Sequence, residues 1–213
     1  DDDEGNQVVF VVEEGPQVLH GGTFIVQNDV SEEKRQILVQ KCLDLGCGTG
    51  LAGAVFRNDC VYLEGVDLSR NMCRQAKRKH IYDKVVCGTL LSHMKQQKAA
   101  SFDLILSADV FMYVLDLKLV LDQINRILVP GGDCVFSTES LGDDEEQDVE
   151  SNDKNNPNVR RRPSERFAHN RNYILDMAVA LQWKLLSVTH VTLRMDDDIP
   201  IMGDIFVFQK DSS

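Results

Sequence analysis

Hydrophobic and polar positions follow two patterns from residue 41 onward. Short apolar runs such as "KCLDL" (41–45) and "FDLILSAD" (102–109) predict buried strands, whereas "LKLVLDQINRILVPGG" (117–132) has the apolar spacing of an amphipathic helix. The same patterns predict further helices over 50–58, 70–80 and 170–183 and further strands over 61–69, 84–91, 133–140, 184–195 and 204–210. Because strands that alternate with helices are typical of parallel sheets, we predict an α/β fold with a seven-stranded, mostly parallel sheet and an antiparallel C-terminal hairpin.

Two segments depart from this alternation. Residues 1–30 contain two β-rich runs joined by glycine and proline, which predict an N-terminal hairpin or lid, and "SEEKRQILVQ" (31–40) predicts a short helix. Residues 142–165 have no apolar periodicity and predict a long flexible loop, which would be either a mobile surface loop or an ordered lid. We treat 1–213 as a single domain, because 213 residues suffice for one core but not for two ordinary ones.

Charge and composition narrow the functional classes. A net charge of -11 argues against a large nucleic acid partner, although Arg160–Arg162 forms either a local anion-binding patch or a solvated loop. The six cysteines show no spacing typical of a metal site, so we predict no metal and a reducing, cytoplasmic location. No apolar run approaches the roughly 20 residues of a membrane span. The chain begins with Asp rather than Met, which suggests an excised domain.

The glycine-rich segment "CLDLGCGTGLAG" (42–53) directly follows a predicted strand. Gly48-x-Gly50-x-x-Gly53 matches the dinucleotide fingerprint, so a nicotinamide-dependent oxidoreductase is one interpretation. A dinucleotide brings a pyrophosphate to this position, however, and Asp44 would repel that anion. S-adenosylmethionine carries a sulfonium and an ammonium group instead of phosphates, so the position of Asp44 favours the methyl donor.

A second acid, Asp67, ends the next predicted strand in "GVDLS". In an open α/β sheet this position lies at the carboxyl edge beside the glycine segment, where a carboxylate accepts hydrogen bonds from both ribose hydroxyls. Either cofactor contains that sugar. Asp67 therefore predicts nucleoside binding without choosing between the two cofactors.

Four segments together resemble a known family. "LDLGCGTG", "GVDLS", "FDLILSADVF" and "LVPGG" have the order and spacing found in class I S-adenosylmethionine-dependent methyltransferases, over about residues 41–139. The resemblance implies a Rossmann-like sheet and S-adenosylmethionine as cofactor. "RFAHNRNYI" and "DIPIMGDIFVF" resemble more narrowly the tetratricopeptide-repeat-associated methyltransferase-like group, although the chain contains no such repeat.

The resemblance also implies cofactor contacts for individual residues. Those expected around the methionine and ribose parts are Asp44, Gly46, Cys47, Gly48, Gly50 and Asp67. Leu68 and the Leu90 backbone N–H would contact adenine, and Ser107 would offer its backbone carbonyl to the methionine ammonium. Thr89 stands where the family commonly has an acid that binds the adenine amino group, and this difference would affect affinity.

Methyl transfer requires alignment and a dry site, and it requires a base only if the acceptor must lose a proton. The candidates for such catalytic roles are Asp109 and Glu139, which follow predicted strands, and His169 and Tyr173, which follow the predicted loop. We predict a methyltransferase that acts on a small molecule. A protein side-chain methyltransferase and a non-catalytic protein that binds S-adenosylmethionine remain alternatives.

Overall fold

The computed structural model describes residues 10–11, 25–26, 39–141, 158–196 and 198–212. Two short strands, β1 (Phe10–Val11) and β2 (Ile25–Val26), pair antiparallel within the predicted N-terminal hairpin. The remainder of that hairpin, residues 31–38 of the predicted short helix and residues 142–157 of the predicted loop lie outside the described residues.

The remaining strands form one mixed sheet. Their bounds are β3 (Val39–Leu45), β4 (Cys60–Asp67), β5 (Lys84–Cys87), β6 (Phe102–Ser107), β7 (Leu128–Ser140), β8 (Val159–Arg161), β9 (Phe167–His169), β10 (Trp183–Asp196) and β11 (Ile199–Lys210). Seven of them lie in the order β10-β11-β7-β6-β3-β4-β5. The five strands from β7 to β5 are parallel, while β11 pairs antiparallel with both β7 and β10. The predicted parallel sheet with an antiparallel C-terminal hairpin is confirmed.

In the described part of the chain, five α-helices connect or follow these strands, namely α1 (Leu51–Phe56), α2 (Arg70–Arg78), α3 (Leu90–Gln96), α4 (Leu117–Ile127) and α5 (Arg171–Ala180). Helix α3 was not predicted, because the apolar residues 84–91 look like one continuous strand. The chain leaves β5 after Cys87, and the Thr89 side chain caps the new helix by accepting a hydrogen bond from the Ser92 N–H.

Helix α4 was predicted to end at Pro-Gly-Gly, but it ends at Ile127, and β7 begins at Leu128. The pairing of β7 with β6 shifts between Phe102–Leu128 and Leu104–Asp133, so the Pro-Gly-Gly residues form an irregularity within the strand. Gly131 has a φ of 76°, which glycine adopts more readily than other residues. Proline and glycine here mark a bulge rather than a helix end.

Both faces of the sheet are buried. Successive side chains of a strand point to opposite faces, so Leu43 and Leu45 pack with α4 and α5 while Cys42 packs with Phe56 of α1. The first core continues into the C-terminal hairpin, where the Phe206 and Phe208 rings stack with Phe136 at centroid distances of 5.3 and 5.9 Å. Layers on both faces are the usual condition for a parallel sheet.

The C-terminal part of the predicted 142–165 loop is ordered structure. Strand β8 pairs antiparallel with β9, which continues the sheet by pairing with the end of β7. Val159 of β8 is buried, and its burial stabilises the strand. The charged residues around it give no sequence pattern that would predict a strand here. His169, which precedes the predicted helix over 170–183, is the last residue of β9.

Within the described ranges, no helix has the length and apolar character needed to cross a bilayer.

Candidate functional site

A cavity of about 1040 Å³ opens where β3, β4 and β6 end. This edge collects the turn after β3 and the residues that follow β6, as expected for open α/β sheets. The charged side chains that line the cavity are all carboxylates, Asp44, Asp67, Asp109 and Asp116. No lysine, arginine or histidine is among its described lining residues, so the cavity attracts cations and repels phosphates.

The glycine turn after β3 presents bare backbone to this cavity. The N–H groups of Gly46 and Cys47 donate to the Val66 carbonyl at 2.8 and 3.0 Å, which fixes the start of the turn beside β4. Gly46 has a φ of 75°, and a Cβ there would lie 2.2 Å from Val110 Cγ2. Gly48 has a φ of 51°, but a Cβ would meet only the Gly46 carbonyl oxygen, at an ordinary contact distance of 3.9 Å. A ligand can therefore approach the chain closely at Gly48.

Asp67 closes β4 directly opposite this turn. Its Oδ2 accepts a hydrogen bond from the Gly48 N–H at 2.9 Å, and its Oδ1 accepts one from the Ser69 N–H at 2.7 Å. Each carboxylate oxygen has a second lone pair, so both oxygens still have capacity to accept a ligand hydroxyl. The carboxylate is thus held at the cavity in one orientation.

Asp44 lies deeper, with only 1% of its surface exposed. Burial raises its pKa to about 6, and the nearby charge of Asp67 contributes in the same direction. The Tyr82 hydroxyl donates to Asp44 Oδ2 at 2.6 Å and opposes this rise. The role of Tyr82 could not be predicted from the sequence, because Tyr82 lies in the link between α2 and β5, far from the glycine segment in the chain.

The expected adenine contacts lie along another side of the cavity. Leu68, Thr89 and Leu90 all line it, and Leu68 is 71% exposed, so its side chain is accessible to the flat face of a ligand. Thr89 Oγ1 accepts from the Ser92 N–H at 3.2 Å. Thr89 therefore already has a structural role as the cap of α3, although its hydroxyl proton remains available to a ligand.

Two expected cofactor residues do not line the cavity. The Ser107 hydroxyl is buried and donates to the Leu45 carbonyl at 3.2 Å, so this side chain links β6 to β3, and its neighbour Ala108 lines the cavity instead. Gly50 faces away from the cavity toward Tyr82, whose Cε2 would lie 3.0 Å from a Cβ at this position.

Asp109 is the catalytic candidate that lines the cavity. Its φ of 60° is uncommon outside glycine, and its N–H donates to Ser137 Oγ at 2.9 Å. Arg194 Nη1 lies 3.6 Å from Asp109 Oδ1. Burial raises the pKa of Asp109, and Arg194 and Arg166 partly oppose that rise. Oδ1 accepts no hydrogen bond from the described residues.

The other three catalytic candidates do not line the cavity. Glu139 is buried and forms an ion pair with Arg194. His169 is fully buried with Nε2 3.0 Å from the Val114 carbonyl, and burial lowers its pKa to about 4. Tyr173 begins α5, where it packs partly buried against the core. Glu139 was expected at the edge of the sheet, and His169 and Tyr173 were expected beyond the loop. The side chains of Glu139 and His169 are buried, and that of Tyr173 is partly buried.

The described residues bring no three His, Cys, Asp or Glu side chains together in a way that could hold a metal ion.

Comparison with known proteins finds similar sequences for the middle of the chain. The sequence profile of the family described as "Methyltransferase domain" matches residues 43–136. A malonyl-[acyl-carrier protein] O-methyltransferase of Erwinia billingiae is 35% identical over 99 residues, which are 46% of this chain and 39% of that protein. A ubiquinone biosynthesis O-methyltransferase of Idiomarina loihiensis is 30% identical over 106 residues, 46% of this chain and 42% of that protein. The chain thus covers less than half the length of either relative.

Among solved structures, an S-adenosylmethionine-dependent methyltransferase of Methanosarcina mazei superposes with a TM-score of 0.64 at 15% identity. The superposition covers 87% of this chain and 100% of that one. By its fold the molecule is a Rossmann-like α/β protein. Residues 43–136 match the family of methyltransferase domains, for which S-adenosylmethionine is the methyl donor.

Proposed function

We propose that this chain is an active methyltransferase that transfers a methyl group from S-adenosylmethionine to a small molecule. The observation that carries the proposal is the charge of the cavity, whose lining has four carboxylates and no basic side chain among the described residues. Such a lining suits a ligand with a sulfonium and an ammonium group, and it is unfavourable for the pyrophosphate of a dinucleotide.

The size of the cavity supports an acceptor that binds inside it. Small-molecule sites usually measure about 300–1,000 Å³, and this cavity has about 1040 Å³. After Asp109 the chain adds several large apolar side chains to the lining, and Tyr113, Leu115 and Leu119 are exposed there beside the carboxylate of Asp116. The cavity therefore has room for the methyl donor and for a small acceptor molecule. The apolar lining residues favour an acceptor with a hydrophobic portion.

The relatives point in the same direction. Both are named as O-methyltransferases, one of a malonyl thioester carrier and one in ubiquinone biosynthesis. The narrower likeness to the tetratricopeptide-repeat-associated group depends on "RFAHNRNYI" and "DIPIMGDIFVF" alone. Membership of this subgroup therefore stays a hypothesis, and it does not indicate which molecule accepts the methyl group.

Each residue at the cavity would have a defined task. Asp67 would accept hydrogen bonds from the ribose hydroxyls, the backbone at Gly48 would allow close approach, and Asp44 would attract the cationic part of the cofactor. When bound, S-adenosylmethionine supplies an electrophilic methyl group. The protein contributes alignment, which by itself lowers a barrier by about 7–11 kcal/mol. Asp109 would take the proton of a hydroxyl or amine acceptor, because it lines the cavity and burial raises the pKa of its carboxyl.

A labelled-donor experiment tests this proposal. The protein is incubated with S-adenosylmethionine labelled in its methyl group and with fractions of a metabolite extract, and small-molecule and polypeptide products are separated. We expect label in a small molecule, and we expect Asp109→Asn to slow its appearance about 10²–10⁴-fold while the affinity for the donor is retained. Asp122→Asn, on the exposed face of α4, is the matched control and should transfer label at the wild-type rate.

The same experiment separates the alternatives. Label in the polypeptide fraction would favour a protein side-chain methyltransferase. Donor binding without transfer to either fraction would favour a non-catalytic protein that binds S-adenosylmethionine.

A further inference from the structure

Tyr82 lies directly beneath the glycine turn, although it belongs to the link between α2 and β5. Its side chain crosses under the turn, and its hydroxyl donates to Asp44 Oδ2 at 2.6 Å. The backbone N–H of Gly53 is the other group that stabilises the ionised form of Asp44. Tyr82 does not line the cavity, so any influence on a ligand must act through Asp44.

Three glycines from three different segments make room for the Tyr82 ring. A Cβ at Gly50 would lie 3.0 Å from Tyr82 Cε2, one at Gly53 would lie 2.2 Å from its hydroxyl oxygen, and one at Gly65 would lie 3.0 Å from Cε1. Gly53 lies within helix α1 and Gly65 within strand β4, where glycine is normally unfavourable. The third glycine of the Gly48-x-Gly50-x-x-Gly53 pattern therefore accommodates this aromatic side chain.

The surroundings of Asp44 explain why this hydrogen bond matters. The titratable groups that face it are Asp67 from the end of β4, the Cys47 thiol in the turn, the Cys42 thiol on β3 and Tyr82 itself. Burial raises the pKa of both thiols and of Tyr82, so these groups stay neutral, and none of the four is a cation. A buried carboxylate without a cationic partner tends to take up a proton, and a hydroxyl donor opposes that tendency.

We infer that Tyr82 is a positioning residue that keeps Asp44 ionised and aimed at the cavity, and that it thereby sets the pH range over which the site binds its cationic ligand. The inference rests on the proposed function, because it assumes a ligand with a positive charge near Asp44. Tyr82 has no direct part in the chemistry.

The test is the pH dependence of ligand binding in Tyr82→Phe. Calorimetric titration with S-adenosylhomocysteine, which retains the ammonium group, is carried out at pH 6.0 and pH 8.5. The pKa of Asp44 is about 6, and loss of the Tyr82 hydroxyl raises it, so the ionised fraction of Asp44 falls at pH 6.0 but hardly changes at pH 8.5. We expect the dissociation constant to rise about five-fold at pH 6.0 and less than about two-fold at pH 8.5.

Tyr62→Phe is the matched control. It removes the same atom from a tyrosine whose hydroxyl lies 3.2 Å from Glu64 Oε2, and neither Tyr62 nor Glu64 lines the cavity. This variant should bind S-adenosylhomocysteine like the wild type at both pH values.

The outcomes separate this inference from the proposed function. A wild-type protein that binds neither S-adenosylhomocysteine nor S-adenosylmethionine would contradict the proposed function itself. If the wild type binds and Tyr82→Phe has the same affinity at both pH values, or is weakened equally at both, the inference alone is overturned. Should Tyr82→Phe fail to fold, Asp44→Asn replaces it. That variant should lose the wild-type change in affinity between pH 6.0 and 8.5, and retention of the change would overturn the inference.

Discussion

His169 shows how burial changes the chemistry of a single side chain in this fold. The residue is 0% exposed, its Nε2 is 3.0 Å from the Val114 carbonyl, and its Nδ1 has no partner among the described residues. Burial lowers its pKa to about 4, so the imidazole is neutral and Nε2 donates to the carbonyl. This hydrogen bond connects β9 to the segment after β6, and the His169 side chain does not line the cavity.

His169 should make the stability of the protein depend on pH. Between pH 6.5 and 4 the unfolded chain binds a proton at this histidine and the folded chain does not, so the free energy of unfolding falls as the pH falls, by up to about 3 kcal/mol. His169→Gln retains a donor for Val114 but cannot titrate. Urea unfolding at pH 7.0, 5.5 and 4.0 should show a fall smaller by about that amount in the variant.

His80→Gln, at an exposed position, is the control and should leave the pH dependence as it is in the wild type. An equal fall in the free energy of unfolding for His169→Gln and the wild type would show that His169 titrates as freely in the folded protein as in the unfolded chain.

The residues that could be predicted from the sequence are those whose role depends on nearby residues in the chain. Asp67 and the turn at Gly46 and Gly48 follow strands directly, so their position at the sheet edge could be read from a short segment. Tyr82 reaches Asp44 only because the sheet brings distant segments together. No local pattern indicates such a contact, although the glycines that surround it are visible in the sequence.

At the scale of whole elements, Arg194 connects the C-terminal hairpin to the centre of the sheet. It extends from β10 across β11, forms an ion pair with Glu139 at the end of β7, and lies 3.6 Å from Asp109. Glu139 is buried, so its charge requires this partner. The pair fixes the hairpin against the floor of the cavity.

Removing one member of this pair should destabilise the protein strongly. Arg194→Met leaves the Glu139 charge buried and unpaired, and we expect a loss of about 3–5 kcal/mol in the free energy of unfolding. The double variant Arg194→Met, Glu139→Gln removes that charge and should recover part of the loss. Urea unfolding at pH 7 measures both.

Lys118→Met provides the comparison, because it breaks an exposed ion pair with Asp122 on α4 and should cost no more than about 0.5 kcal/mol. A double variant as unstable as Arg194→Met would mean that the lost packing of Arg194, and not the unpaired Glu139, causes the destabilisation.

Alternation of strands and helices was predictable because it depends on hydrophobic periodicity. The residues at which helices and strands begin and end were less predictable. The start of helix α3 lies in an apolar run that also fits a strand. Pro-Gly-Gly predicts the end of a helix, but the same residues also fit the irregular start of strand β7. The strand β8 depends on the burial of Val159 against neighbours that are remote in sequence.

At the scale of the whole molecule, the topology of the parallel sheet determines the position of the candidate site. The carboxyl ends of β3, β4 and β6 meet at one edge, and the turn, Asp67 and Asp109 share a cavity for that reason. The sequence predicted this edge and placed Glu139 there as well, with His169 and Tyr173 expected to reach toward it from beyond the loop. A position after a strand does not determine which way a side chain points.

The cavity also distinguishes the two cofactor classes that the glycine pattern allows. Gly48-x-Gly50-x-x-Gly53 is compatible with a dinucleotide, but Asp44 and Asp109 line the same cavity as the glycine turn, where their charges would repel a pyrophosphate. Because like charges in a partly buried site repel strongly, the fold favours a ligand whose charge near the turn is positive.

Calorimetric titration of the wild-type chain with S-adenosylhomocysteine and, separately, with NAD tests the central claim most directly. The account predicts that S-adenosylhomocysteine binds with one molecule per chain, that Asp67→Asn abolishes or greatly weakens this binding while Asp122→Asn does not, and that NAD gives no binding signal. Saturable binding of NAD together with no response to S-adenosylhomocysteine would contradict it.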